Sequence, residues 1–237
     1  MYTNLRKLDT SSGKTKGDIR RYNGQTNLSF DISGKFGVEA GLKSVFVNTG
    51  SNALYKKLIN GSWLRDNNLS SNFKYKENIN AGYFQLNAKW SPRFSTAIGL
   101  RLENTYTKSH YSSTVQDTTF SKNTLHLFPP FMTQYKLSEN YDLSMIYGRR
   151  IIRPNYRNMN PFVEVRDQFL YEQGNTELKP ELIDNMEISL IFRKICSFNV
   201  FYSHRSDPIS LSFMVEDNSR VLVMPLNLSG NNSFGLR

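Results

Sequence analysis

The sequence predicts an all-β, antiparallel fold, and three observations carry that reading. Apolar residues recur with a period of two, the spacing that gathers them on one face of a strand. No long stretch repeats apolar residues at three and four, and β-branched and aromatic residues crowd the regular segments. Tight turns alternate along the chain with long polar connections.

In chain order, Leu28, Phe30 and Ile32 alternate with Asn27, Ser29, Asp31 and Ser33, and Gly34-Lys35-Phe36-Gly37 turns the chain back. After Ser91-Pro92-Arg93, the set Phe94, Thr96, Ile98, Leu100 and Leu102 alternates with Ser95, Ala97, Gly99, Arg101 and Glu103. Ser138-Glu139-Asn140 precedes Tyr141, Leu143, Met145 and Tyr147, which alternate with Asp142, Ser144, Ile146 and Gly148. Met186, Ile188, Leu190 and Phe192 alternate with Glu187, Ser189, Ile191 and Arg193, and Arg193-Lys194 makes the next tight turn. Each segment is roughly nine to eleven residues, the length of a tilted strand that crosses a bilayer. Between the strand pairs, residues 48–80, 104–123, 151–183 and 205–220 are rich in Asn, Ser, Lys, Tyr and Asp and read as long loops.

Several long loops are unusual in a compact soluble domain, whereas a transmembrane β-barrel combines short turns at one rim with long loops at the other. In a barrel one strand face meets lipid and the other a wet lumen. Asp31, Arg101, Glu103 and Asp142 share the parity of Gly and Ser and are candidate lumen-facing residues. Tyr83, Trp90, Phe94, Tyr141 and Tyr147 fit interfacial girdles. Periodicity alone does not separate this barrel from a soluble β-sandwich, whose aromatic residues would serve as glycan platforms.

Composition narrows the function classes. Aromatic residues make up 13% of the chain, which argues against disorder. Cys196 stands alone, so no intrachain disulfide forms and no cysteine metal site is expected. The net charge of +10 implies an anionic partner, but the basic residues are scattered, with no run that would make a nucleic-acid arm. No run approaches the roughly 20 apolar residues of a membrane helix, and no hydrophobic leader follows Met1.

Two motif blocks resemble one family. The first is Tyr147-Gly148-Arg149-Arg150-Ile151-Ile152-Arg153-Pro154-Asn155-Tyr156, followed by Met159-Asn160-Pro161-Phe162. The second is Gln173-Gly174-Asn175-Thr176-Glu177-Leu178-Lys179-Pro180-Glu181, with Glu187 in the next strand. Glu77-Asn78-Ile79, Ala81-Gly82-Tyr83 and Gly99-Leu100-Arg101-Leu102-Glu103-Asn104-Thr105 match upstream; Ala40-Gly41-Leu42-Lys43 and Tyr202–Ile209 fit more loosely. In this order they resemble the outer-membrane β-barrel proteins of Bacteroidetes related to TonB-dependent receptors. Thr176 stands where that family favours Pro, Met159 where it favours Leu, and His204 where Arg is common.

The resemblance implies the β-barrel part of an outer-membrane receptor for nutrient uptake, with residues 1–237 as one barrel domain, incomplete relative to the family's barrel. It implies lipid and lipopolysaccharide around the barrel, a plug domain and TonB as partners of the intact family, and an unidentified nutrient ligand. The chain carries neither plug nor signal peptide and ends without the family's usual terminal aromatic. It therefore reads as an interior piece that does not transport alone. The alternatives are a plug-less outer-membrane pore or surface barrel, and the soluble glycan-binding sandwich. Family-motif positions with a structural or loop role are Arg150, Arg153, Pro154, Tyr156, Asn160, Pro161, Phe162, Gly174, Asn175, Leu178, Lys179, Pro180 and Glu187.

No catalytic or cofactor residue stands out. His110, His126 and His204 lack metal-ligand spacing, and no nucleophile-elbow, phosphate-loop, zincin or dinucleotide motif occurs. The Glu177/Glu181 pair sits in a loop. The Arg149–Arg153 cluster could meet lipid phosphates or a lumen anion, but the simpler expectation is pairing with nearby acids.

Overall fold

The computed structural model describes residues 10–114, 116–167, 169–216 and 220–237. Residues 1–6, which carry no hydrophobic leader pattern, lie outside them. The described elements are β1 (Ser11–Asp31), β2 (Phe36–Ile59), β3 (Ser62–Arg65), β4 (Ser71–Ser91), β5 (Phe94–Ser113), β6 (Asp117–Phe128), β7 (Phe131–Lys136) and β8 (Tyr141–Ile152). A short helix α1 (Tyr156–Met159) follows, then β9 (Val163–Val165), β10 (Leu170–Gln173), β11 (Glu181–Phe192), β12 (Cys196–Ser206), β13 (Ile209–Glu216), β14 (Arg220–Asn227) and β15 (Asn231–Leu236).

The main sheet runs β1-β2-β4-β5-β7-β8-β11-β12-β15, antiparallel throughout. The sequence pattern predicts about ten strands; nine stand along this path among the described residues. β3 folds back on β2 as a hairpin, and β6 pairs with β5 beyond β7. β6 and β7 flank Pro129-Pro130, which bring no amide hydrogens to a ladder; the Pro130 carbonyl still accepts from the Gly99 amide at 2.9 Å. β13-β14-β10-β9 make a second, small sheet in which β14 and β10 are parallel. The main sheet is open: among the described residues β1 and β15 each pair along one edge only.

The tight turns have local causes. Gly34 takes φ +62, and its amide donates to Asp31 Oδ1 at 2.9 Å. Arg193 and Lys194 turn through left-handed φ of 48° and 59°. The long connections differ from the sequence reading. Residues 48–80 and 104–123 are not mainly loops: β2 and β4 run 24 and 21 residues, and β5 continues to Ser113 opposite β6. Where water wets both faces, both carry polar side chains, so the alternation fades while the backbone ladder continues. Residues 151–183 and 205–220 do leave the main sheet, and they supply α1, β9, β10 and β13.

Register decides which side chains share a face. Phe30, Val38, Leu86, Ile98 and Phe131 form one cross-strand row; Leu28, Ala40, Phe84 and Leu100 form the next; Thr26, Leu42, Gly82, Leu102 and Leu127 a third. These apolar side chains are bare: Leu28 is 56%, Ile98 53% and Leu100 44% exposed. A patch of this extent is a liability in water and the normal outer surface of a barrel in hydrocarbon. Aromatic pairs border it at the short-turn end, Phe36 with Trp90, Phe94 with Tyr135, and Tyr141 with Phe192, ring centroids 5.7, 6.1 and 5.0 Å apart. Aromatic side chains collect in this way at the water–lipid boundary.

Two girdle expectations need correction. Tyr83 lies on the opposite face, its hydroxyl donating to Asn27 Oδ1 at 2.7 Å. Its ring sits over Gly41, where a Cβ would meet it at 2.5 Å. Tyr147 is on the bare face but in the middle of β8, opposite Phe131, donating to Asp184 Oδ1 at 2.6 Å.

Beyond β3, Asp66 organises the tip of the β2–β4 hairpin. Its Oδ1 accepts from the Asn68 and Leu69 amides at 3.0 and 3.3 Å, and Lys57 Nζ lies 2.9 Å from Oδ2. The buried Ser70 hydroxyl accepts from the Tyr55 amide and donates to the Tyr55 carbonyl. Burial alone would raise the Asp66 carboxyl, but the Lys57 ammonium and the two amides together hold it below the ordinary carboxylate range.

Two outcomes follow from this architecture. Leu100→Arg places a charge within the apolar rows and is expected to cost folding into lipid vesicles about 2–4 kcal/mol, read by urea titration; an unchanged midpoint would mean that this face does not meet hydrocarbon. Asp66 has a depressed pKa when folded, so its contribution is complete above an unfolded value of about 3.9 and is lost as pH falls through the lower folded value. Limited proteolysis across residues 60–70 is expected to accelerate below about pH 4 in the wild type, and Asp66→Asn should be cut rapidly at all pH values.

Candidate functional site

Part of the other face of the main sheet, around Phe73, Tyr75, Thr105 and Tyr111, is covered by the described residues between Arg153 and Pro180. Segment entry is set by Arg153-Pro154 at the end of β8, where proline ends ladder pairing. Asn155 then caps α1, its Oδ1 accepting from the Asn158 amide at 2.8 Å. The return leg binds the outgoing leg through backbone: the Gly174 amide donates to Asn160 O at 2.9 Å and the Asn175 amide to Asn158 O at 2.6 Å. A Cβ on Gly174 would lie 2.4 Å from Asn160 O, so only glycine permits this approach. Asn160 Oδ1 accepts from the Phe162 amide, Asn175 Oδ1 from the Glu177 amide, and Gln173 Nε2 donates to Pro161 O.

This segment is seated on the sheet by a small apolar cluster. Met159 and Leu178 pack against Phe73 and Tyr75 of β4 and Tyr111 of β5, with Tyr156, Phe162 and Ile209 at its edge. Lys122 Nζ donates to Leu178 O at 3.3 Å. The β13–β14 hairpin holds the segment from its other side: the Lys179 amide donates to Asn227 Oδ1 at 2.8 Å, and Asn227 Nδ2 donates to the Lys179 and Asp207 carbonyls. Outside, Arg166 bridges Glu164 and Glu172 at 3.1 and 2.8 Å and holds the Glu172 carboxyl below its usual range.

Buried charge lies beneath. Glu103 is 5% exposed; one carboxylate oxygen meets Arg101 Nη2 at 2.8 Å and the other meets Arg153. Glu181, 4% exposed, lies 3.3 Å from Arg205 Nε and accepts from the Ile209 amide. A cavity of about 340 Å³ opens between segment and sheet, with Tyr75, Glu77, Thr105, Thr107, Lys122 and Arg153 in its wall. Arg153 in its wall pairs with Glu103, and among the described residues no group of three or more His, Cys, Asp and Glu side chains is placed to hold a metal. The chemistry on offer is polar recognition and anchoring.

Of the motif positions, Arg153, Tyr156, Asn160, Pro161, Phe162, Gly174, Asn175 and Leu178 meet in this one knot. Pro154 and Pro180 bound the segment, and Lys179 joins through its backbone. Arg150 is exposed and Glu187, lower on the covered side, accepts from Ser189. The arginine run points two ways: Arg153 reaches Glu103, while Arg149 forms a two-pronged pair with Asp184 on the bare face, at 2.8 and 3.1 Å. Arg101 and Glu103 lie on the covered face; Asp142 shares it at the short-turn end, opposite Lys136. Asp31 uses its carboxylate on the Gly34 turn. Sequence reading missed Phe73, Tyr75 and Tyr111, although Phe73-Lys74-Tyr75-Lys76-Glu77 alternates and would have been the signal.

Arg153→Met is expected to leave the buried Glu103 oxygen unpaired and to destabilise by about 1–3 kcal/mol, with faster proteolysis of residues 153–180. The double variant with Glu103→Gln should recover part of the loss; equal losses in the single and double variants would show that the pair does not couple segment to sheet.

A family model described as the outer membrane protein beta-barrel family matches residues 2–237. No curated protein sequence matches the chain. Among solved structures, the copper transporter OprC matches 94% of this chain at 12% identity and a TM-score of 0.65, over 35% of its own length. The ferric citrate transporter FecA in its unliganded form matches 96% at 12% identity and 0.58, over 32% of its length. The ferric yersiniabactin uptake receptor FyuA from Yersinia pestis matches 96% at 14% identity and 0.55, also over 32%. The chain thus spans about a third of the length of these receptors, and the likeness is one of fold.

Proposed function

Because the chain belongs to the outer membrane protein beta-barrel family, which places it in the outer membrane, we propose that it is the barrel portion of a TonB-dependent-type receptor for nutrient uptake. The observation that carries this reading is the division of the sheet: one face apolar and bare, the other polar and overlaid by residues 153–180. In a closed barrel the second face lines the lumen, so Arg101, Glu103 and the Arg153 segment stand along the ligand's route, and Asp142 stands near its inner mouth. The solved proteins of like fold are described as transporters and receptors, which supports receptor work over catalysis. The order of the motif blocks extends the kinship to the Bacteroidetes members of the family. The open edges of β1 and β15 are where the remaining strands of a longer barrel dock, with a plug domain and TonB as partners of the assembled receptor and residues 1–237 as one part of its barrel domain.

The 237-residue chain, folded in detergent and added to planar bilayers, is expected to insert without discrete conductance steps. Steady channels of one size would favour a plug-less pore, and a monodisperse folded chain in buffer without detergent would remove the barrel reading altogether.

A further inference from the structure

Beyond the apolar rows, the bare face changes chemistry in three register steps. The first row holds Ser44, Asn80 and Asn104, with Ser44 Oγ donating to Asn80 Oδ1 and Asn104 Nδ2 to Asn123 Oδ1, both at 2.8 Å. The second holds Tyr22, Phe46, Asn78 and Tyr106, with all three aromatic rings exposed. The third holds Arg20, Asn48, Lys76 and Lys108, and Lys74 and His110 lie opposite each other just past it. From Phe94 to Tyr106, β5 covers about 40 Å at the usual rise per residue. At a barrel tilt of about 40° this is about 30 Å of membrane normal, the thickness of the hydrocarbon core. Lys108, two residues on, is at headgroup depth.

Among the described residues no acid pairs with these lysines: Asp18 lies over Gly50, one strand from Lys74, and contacts Arg20, while Asp117 lies 3.6 Å from His110. Lys76 and Lys108 are register partners on one face, and Lys74 is diagonal to Lys108. Like charges set directly opposite destabilise a sheet. None of the three side chains bonds or pairs with a described residue, and Arg20 has only a 4.0 Å contact with Asp18 across open solvent. Arg149, on this same face, is by contrast clasped by Asp184.

We infer that Lys74, Lys76 and Lys108, with Arg20 at their flank, form a binding surface on the outside of the barrel for the phosphate groups of an anionic membrane lipid. The phosphate oxygens would accept from the three ammonium groups and relieve their repulsion. The acyl chains would lie down the same face over Leu102, Leu127 and Leu42, past the Tyr22 and Tyr106 boundary. A free anion has no use for that apolar floor. The inference rests on the outer-membrane reading.

The test uses the full chain folded in neutral detergent, titrated with a diphosphorylated disaccharide lipid of the lipid A type and with its dephosphorylated form, with adducts counted by native mass spectrometry. The phosphorylated lipid is expected to bind at least about tenfold more tightly, since each cation at an anionic lipid surface contributes about a fivefold factor. The K74Q/K76Q/K108Q variant should lose on the order of a hundredfold on the same scale, and K74R/K76R/K108R should retain binding, which separates lost charge from lost folding. Equal binding of the two lipids, or wild-type binding by the glutamine variant, overturns the proposal. Inorganic phosphate that displaces the lipid at equal concentration would assign a free-anion site and overturn the lipid assignment. If the wild type enters detergent and binds neither lipid, this surface fails while the barrel stands; if it folds in buffer without detergent, both fall.

Discussion

Hydrocarbon offers no hydrogen-bond partner, so each peptide group that enters it must be bonded inside the protein. That requirement explains the length and continuity of the ladders from β1 to β12 and the placement of the exceptions. The break between β6 and β7 is made by Pro129-Pro130, which have no amide hydrogen to leave bare, and the Pro130 carbonyl is answered by Gly99. The same requirement makes the two outer edges consequential. β1 presents 21 exposed residues on one unpaired edge, an arrangement that invites further strands or self-association. An open sheet with an apolar outer face becomes a membrane protein when those edges are met.

The covered face follows different physics. It has no deep apolar core to hold residues 153–180 down; the buried cluster amounts to a few side chains around Phe73 and Leu178. The segment is shaped by its own hydrogen bonds at Asn155, Asn160 and Asn175, tied to β14 through Asn227, and held to the sheet by that small cluster, Lys122 and the Arg153–Glu103 pair. Such a pair adds little net stability relative to an apolar contact, yet breaking one side of it is costly. A segment anchored this way keeps one position against a wet wall without sealing that wall with hydrophobic surface.

The belt was legible in the sequence because lipid and water impose opposite demands on alternate residues, as at Phe94 through Glu103. It faded at Lys74–Lys76 and Lys108–His110, where both faces meet water and only the backbone remembers the strand. Tyr83 was misassigned for a related reason: an aromatic near a strand end suits a girdle and a wet wall equally, and only register with Asn27 and Gly41 places it. The motif residues were visible as a string, but their purpose was not. Arg153 and Glu103 are fifty residues apart, and no local pattern announces that one reaches the other. The mutual bonding of Asn158, Asn160, Gly174 and Asn175 is likewise backbone geometry, which composition does not record.

This division between what lipid dictates and what contact dictates accounts for how little sequence the fold shares with OprC, FecA and FyuA. A lipid-facing site accepts Leu, Ile, Phe or Val alike, and a wet strand site accepts most polar residues, so identity drifts while pairing persists. Side-chain freedom ends where backbone approaches backbone or ring. At Gly41 any side chain meets Tyr83 and the Thr26 carbonyl, and at Gly174 it meets Asn160. It stops also where a buried charge has one reachable partner, as Glu103 has in Arg153 once Arg101 is engaged. The fold therefore needs a period and a register, and the few positions with no freedom lie where the overlaid segment touches the wall.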